Sequence, residues 1–177
     1  MKDLKRIKLI ISDCDGVLTD GKIIYNDQRI ETRNFSARDG LGIKMLIYSP
    51  IIFAVISGKS SPALSRRCED LGIKHVFQGI KNKVQVAKQL STDLNIKFDE
   101  IAFIGDDWND FLLMKEVQFC AMPAAGCKEM QLKVDYVSEI KGGCGAVRDI
   151  IEYILKEQGI YGETLEKLLH DLQNSDN

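Results

Sequence analysis

The chain has 177 residues, of which 45% are apolar and 28% charged, with a net charge of −2. That length suits one domain with a single well-buried core. The near-neutral balance gives no electrostatic footprint for nucleic acid or for an anionic membrane. No apolar run approaches a membrane span, and the N-terminus "MKDLKRIKLII" passes from basic to strand-like without a cleavage site. Five cysteines (Cys14, Cys68, Cys120, Cys127 and Cys144) include no CxxC pair. They are expected to be free thiols in a reducing cytoplasm. The only histidines, His75 and His170, stand alone, which argues against zinc.

In chain order, apolar β-rich runs fall at 7–12, 51–57, 74–79, 100–105 and 134–138, and "VQFCAM" at 117–122 is a further candidate strand. Most are continuously apolar rather than alternating, as in strands covered on both faces. Helical patterns lie between them at about 39–48, 61–71, 82–94, 108–115 and 144–157. The second opens with "SSP", a capping serine followed by proline in the first turn. The last carries Val147, Ile150, Ile151, Ile154 and Leu155 on one face. Such alternation predicts an α/β fold with a doubly wound, mostly parallel sheet. Two segments depart from it. "KIIYNDQRIETRNF" (22–35) reads as a β-hairpin around an Asn-Asp turn. From Gly159 to Asn177 the chain reads as an amphipathic helix with Leu165, Leu168, Leu169 and Leu172 on one stripe, then a polar fray. The expected division is a domain over 1–158 that includes the hairpin, and a C-terminal tail over 159–177.

Four polar signals sit at the C-terminal ends of these strands, where open α/β sheets bind ligands. They are Asp13 and Asp15 in "SDCDG", Ser57 and Gly58 in "VISGKS", Lys83 after "HVFQG", and Asp106, Asp107 and Asp110 in "GDDWND". Each alone is an ordinary cap, turn or surface residue. At successive strand ends they converge on one rim. Carboxylates crowded together repel, and a hard divalent cation resolves that conflict. Oxygen-only ligands without His or Cys suit magnesium.

"DCDGVLTDG", "ISG", Lys83 and "GDDWND", in that order and spacing, resemble the four motifs of the haloacid dehalogenase superfamily of phosphohydrolases. The resemblance covers nearly the whole chain. It implies that Asp13 is the nucleophile that forms an aspartyl-phosphate and that Asp15 is the general acid and base. It implies a magnesium ion held by the Asp13 and Asp106 side chains and the Asp15 backbone carbonyl. Ser57, Gly58 and Lys83 would bind the phosphoryl group, and Asp107 or Asp110 would hold the metal shell or Lys83. Acceleration of phosphate monoester hydrolysis reaches ~10²¹, which no single group supplies. Covalent relay, metal and positive clamp must act together. Receiver domains lack the second aspartate, and phosphomutases of the superfamily generally carry a large cap. Here only the hairpin follows motif one, so no cap domain is expected.

Capless members act on macromolecules or borrow a lid from a neighbouring subunit. "FSARDGLGIK", "ISGKSSPALSRRCEDLGIKHVFQG" and "GGCGAVRDIIEYIL" closely resemble the family of phosphatases acting on 3-deoxy-D-manno-octulosonate 8-phosphate, an intermediate on the way to lipopolysaccharide. The related 2-keto-3-deoxy-nononate 9-phosphate phosphatases share the scaffold but typically carry glutamate where Lys59 stands, and an N-acylneuraminate 9-phosphate phosphatase is a further alternative. Lys59 and Arg67 suit an acidic sugar's carboxylate, which favours the eight-carbon substrate. Thr19 and Arg38 are further substrate-site candidates, Thr19 through the shape of the loop after motif one. The expected partner is therefore a small sugar phosphate, with no nucleic acid or membrane. A homo-oligomer, a tetramer, is expected to complete the site, with hairpin residues Ile23, Ile24, Tyr25, Ile30 and Phe35 needing a partner surface. The rival readings are a protein phosphatase and a catalytically silent binding subunit.

Overall fold

A computed structural model describes residues 2–174. All six expected strands form: β1 (Leu9–Ser12), β4 (Ile52–Ile56), β5 (His75–Phe77), β6 (Ile101–Ile104), β7 (Phe119–Met122) and β8 (Tyr136–Val137). The short strands β2 (Ile24–Tyr25) and β3 (Glu31–Thr32) make the hairpin. The main sheet runs β5-β4-β1-β6-β7-β8, parallel throughout. Successive side chains on a strand point to opposite faces. Accordingly Ile10, Val55 and Ile104 join a core on one face, while Leu9, Ile11, Ala54 and Phe103 join a second core on the other. Two buried faces explain why these strands are apolar without alternation.

The helices are α1 (Ala37–Met45), α2 (Pro62–Asp70), α3 (Lys83–Leu94), α4 (Phe111–Met114), α5 (Lys128–Gln131), α6 (Ala146–Glu157) and α7 (Tyr161–Asn174). The first core is covered by α1, α2, α6 and α7, through residues such as Ile43, Leu64, Ile150 and Leu168. The second is covered by α3 and α4, through Ala87, Leu90 and Leu113. Helix α6 starts two residues later than the pattern suggests, because Gly143 and Gly145 hold positive φ. Ser61 does stand at the α2 N-cap with Pro62 after it, but its side chain makes no capping bond. Its backbone N–H donates instead to Gln78 Oε1 at 2.7 Å. The single turn α5 was not expected, since four residues carry no periodicity to read.

Helix α7 lies back on its own domain. Leu168 is buried, Leu165 packs on the same core, and Tyr48 donates its hydroxyl to Asp171 at 2.5 Å. Leu169 and Leu172 remain about half exposed (49% and 50%). Residues 175–177, the polar fray, lie outside the described residues. Asn26 closes the hairpin, its Oδ1 accepting from the N–H groups of Gln28 and Ile30 at 3.0 and 2.9 Å. Phe35, grouped above with the hairpin's unpartnered residues, packs on the protein's own core. Among the described residues no helix is long and apolar enough to cross a membrane.

Candidate active site

Strand β1 delivers Asp13 to the rim, where its N–H still donates to Ile104 O at 2.8 Å and so extends the sheet by one residue. The side chain is fixed from two sides. Oδ1 of Asp13 accepts from the Cys14 N–H at 2.7 Å and meets Lys83 Nζ at 2.8 Å. Lys83, the first residue of α3, also reaches Asp110 Oδ1 at 2.6 Å. Asp110 is wholly buried, and its other oxygen accepts from the Asp106 N–H at 3.0 Å. Three strand ends are thus tied together by one ammonium group. Breaking a buried pair of this kind by removing one partner costs about 3–5 kcal/mol, so the triad serves the fold as well as any chemistry.

The loop after Asp13 is held by Thr19, whose hydroxyl accepts from Gly16 N–H and Gly21 N–H (3.3 and 3.2 Å) and donates to Cys14 O (3.4 Å). Thr19 is buried, which makes it a shaper of this loop and not a contact for substrate. Gly16 takes φ +87°, and a Cβ there would lie 2.0 Å from Asp106 Oδ2. Only glycine lets the loop approach the second carboxylate so closely. The glycine turn before α6 supports the same loop from behind. A Cβ on Gly142 would sit 1.9 Å from Gly16 O, and the Gly143 N–H donates to Val17 O at 3.0 Å.

Oxygens of Asp13, Asp106 and Asp110 lie within 4.8 Å of one another. All three carboxyls hold protons more tightly than an ordinary aspartate. Burial, then repulsion from Asp110, pushes Asp13 up to about 6 despite Lys83. Burial, then Asp110, Asp13 and Asp107, pushes Asp106 up to about 7. Asp110 is also raised, first by burial. Burial works to lower Lys83, but Asp110 and Asp13 outweigh it and the ammonium is held more firmly. An all-carboxylate donor set with this much unrelieved repulsion fits a hard divalent cation. Both oxygens of Asp110 are already occupied by Lys83 and the Asp106 N–H, so Asp13 and Asp106 are the better ligands.

Asp15 is half-buried and faces the same cleft. A cavity of about 490 Å³ is lined by Asp13, Asp15, Gly58, Lys59, Asp106, Asp107, Trp108 and Asn109. Burial raises Asp15, with Arg33 pulling the other way. Ser57 is buried at the end of β4, where its hydroxyl donates to Lys59 O at 3.0 Å. Asp107 is exposed, and its carboxylate caps the Trp108 N–H at 2.8 Å.

Two expected substrate contacts lie elsewhere. Arg67 turns to α1 and donates to Ser36 O at 2.9 Å. Arg38 is exposed and lies against Gly145, beside Arg148 and Asp149. Neither is among the residues that line the cleft. Lys59 does line it, 3.3 Å from Glu31 Oε2. The sequence pattern did not single out Glu31 or Arg33. Both come from the hairpin, and Arg33 Nη1 lies 3.1 Å from Asp15 Oδ1. No signal in the sequence marked either residue, since a charged side chain in a polar ribbon reads as solvated.

No protein-family model matches the chain. It is 39% identical over 152 residues to a 3-deoxy-D-manno-octulosonate 8-phosphate phosphatase of Yersinia pestis, covering 86% of this chain and 81% of that one. The phosphatase of that name from Moraxella catarrhalis, solved in complex with magnesium ion, phosphate ion and KDO, superposes with a TM-score of 0.89. It is 39% identical, with 94% of this chain and 95% of that chain covered. A haloacid dehalogenase (HAD) superfamily hydrolase of subfamily III A from Legionella pneumophila, described as putative, superposes at 0.91 with 32% identity, covering 95% and 92%. The four strand-end motifs, the capless parallel sheet and these likenesses agree, and the chain belongs to the 3-deoxy-D-manno-octulosonate 8-phosphate phosphatase family of the haloacid dehalogenase superfamily.

Proposed function

We propose that the protein is a magnesium-dependent phosphomonoesterase that hydrolyses 3-deoxy-D-manno-octulosonate 8-phosphate to the sugar acid and inorganic phosphate, in lipopolysaccharide precursor synthesis. The observation that carries this reading is the Asp13–Lys83–Asp110 triad, with Asp106 and Asp15 facing the same cleft. A magnesium ion, held by the side chains of Asp13 and Asp106 and the backbone carbonyl of Asp15, would offset the charge between the phosphate dianion and these carboxylates. Asp13 attacks phosphorus, and the ester P–O bond breaks. The protonated carboxyl of Asp15 gives its proton to the departing sugar oxygen. Water then attacks the aspartyl-phosphate and loses a proton to the Asp15 carboxylate, which frees inorganic phosphate and regenerates Asp13. Lys83 and the Gly58 N–H hold the phosphoryl oxygens, with the Ser57 hydroxyl exchanging its bond to Lys59 O for one of them. Lys59, at the mouth of the cleft, takes the sugar carboxylate in place of Glu31. Asp107 supports the metal shell from the rim.

Phosphate release in magnesium tests the assignment on octulosonate 8-phosphate, nononate and neuraminate 9-phosphates and a set of phosphopeptides. The highest kcat/KM is expected on the eight-carbon ester. A preference for a nine-carbon ester would overturn the substrate, and turnover of phosphopeptides alone would overturn the class.

The same reading includes a homo-tetramer. A small substrate in an open cleft leaves polar recognition in water, where it is weakest. The hairpin exposes Ile23 (58%), Ile24 (41%), Tyr25 (63%) and Ile30 (55%), and its two strands have two residues each. Such a ribbon is marginal alone, and pairing with hairpins of other copies would cover both its apolar residues and its strand edges. Light scattering is expected to give a tetramer, with activity falling on dissociation. A fully active monomer at assay concentration would contradict the shared lid.

A further inference from the structure

Arg33 is a buried charge beside the cleft that the chemistry above leaves unused. Its side chain is 2% exposed although it belongs to the hairpin, whose Ile23, Ile24, Tyr25 and Ile30 face solvent. Nη1 lies 3.1 Å from Asp15 Oδ1 and donates to Cys14 Sγ at 3.4 Å. Nε donates to Glu31 Oε1 at 3.0 Å. Nη2 lies 3.0 Å from the same Glu31 oxygen but makes no hydrogen bond. Glu31 in turn pairs with Lys59, next to the phosphoryl-binding Gly58. A buried guanidinium held by Glu31 and Cys14 thus pairs through Nη1 with Asp15, while Asp15 still lines the cleft beside Asp13.

We infer that Arg33 is a positioning residue: it aims the Asp15 carboxyl at the leaving oxygen and thereby makes the hairpin part of the catalytic apparatus. The geometry requires such a device. Asp15 follows Cys14 and precedes a glycine in the left-handed region, so the backbone there turns sharply and contributes no strand or helix to hold the side chain. Neither of the other cations at the site is placed to replace Arg33. Lys83 is engaged by Asp13 and Asp110, and Lys59 by Glu31. A guanidinium also fixes direction through its planar donors, which an ammonium does not. Arg33 has no buried route to the substrate, because its Nη2 is sealed from solvent. Its direct contact with the catalytic carboxylates is with Asp15, and its tie to Glu31 and Lys59 is separated by the comparison of esters below.

This inference rests on Asp15 being the general acid, and the test separates the two. Protonation of the leaving group matters for an alkoxide and little for a nitrophenolate, which departs unaided. The kcat/KM values report the first, phosphoryl-accepting step. They are to be compared for R33M and D15N in magnesium on three esters: octulosonate 8-phosphate, a sugar phosphate lacking a carboxylate, and 4-nitrophenyl phosphate. R33M is expected to lose about 10²-fold on both sugar esters, as misplacement by about 1 Å does elsewhere, while 4-nitrophenyl phosphate loses far less. D15N should show the same pattern, more strongly. An equal loss on all three esters for R33M, with D15N selective, would reduce Arg33 to a structural anchor and overturn the inference alone. A loss confined to the carboxylate-bearing ester would make Arg33 a substrate contact and likewise overturn it. An unselective D15N would overturn the acid assignment itself. Should R33M not fold, R33K keeps the charge, loses the fork and carries the same comparison.

Discussion

Asp13→Asn is expected to abolish phosphate release while leaving the protein folded. The amide is nearly isosteric, and its oxygen can still accept from the Cys14 N–H and Lys83 as Asp13 Oδ1 does. It cannot attack phosphorus, and removal of a nucleophile elsewhere costs on the order of 10⁶-fold in kcat. The fold should survive the loss of one charge of the triad, because Lys83 keeps its ion pair with Asp110. Asp13 contributes to the repulsion that raises Asp106, so the uncharged amide relieves strain in the metal-free protein. Asp15→Asn leaves the nucleophile in place and should cost less, about 10²- to 10⁴-fold. Steady-state phosphate release with thermal melts of both variants makes the comparison. Near-normal turnover by Asp13→Asn would remove the covalent mechanism altogether.

Cys14, between the two aspartates, is no competing nucleophile. Burial, then the Asp15 charge, pushes its thiol up to about 12, so it remains protonated and serves as a buried side chain under Arg33.

Much of this site was legible in the sequence because its parts are local. Asp13 directly follows β1, Asp106 follows β6 after one glycine, and Lys83 opens α3, so each residue's place on the rim follows from the element that carries it. Strand positions were legible for a related reason: two covered faces leave an unbroken apolar run such as Leu9, Ile10 and Ile11. What escaped notice depends on distant contacts. Arg33 meets Cys14 across 19 positions and Asp15 across a similar gap. Nothing in "ETRNF" separates such an arginine from a surface charge. Arg67 and Arg38 were misplaced by the same ambiguity in the opposite direction. A basic residue near a motif looks available until the fold gives it the Ser36 carbonyl or the flank of α6. The glycines before α6 read as a flexible turn, but Gly142 is packed on Gly16 O and braces the loop that carries Asp15. Phe35 closes the hairpin in sequence yet belongs to the core in space.

Removal of divalent cations is the second large effect. Chelation is expected to take phosphate release to background, with magnesium restoring it and calcium restoring little, since calcium accepts more ligands in looser geometry. The same carboxylates make stability depend on pH. In the metal-free fold Asp13 and Asp106 protonate at about 6 and about 7, against an ordinary 3.8. Between about pH 4 and pH 7 the native state therefore binds more protons than the unfolded chain, and stability falls as pH rises through that window. Magnesium replaces those protons, so it should bind more tightly at pH 8 than at pH 5.5. At 100 times its Kd the ion adds about 2.7 kcal/mol, or roughly 5–10 °C in Tm for a chain of this size. Melting curves in chelator should thus show a higher Tm at pH 5.5 than at pH 8, and saturating magnesium should narrow or reverse that order. Inert Asp13→Asn protein gives the control, because loss of one carboxylate flattens the pH dependence whether or not the enzyme turns over. Full activity in excess chelator, or a magnesium shift of equal size at both pH values, would show that the acidic cluster holds no metal.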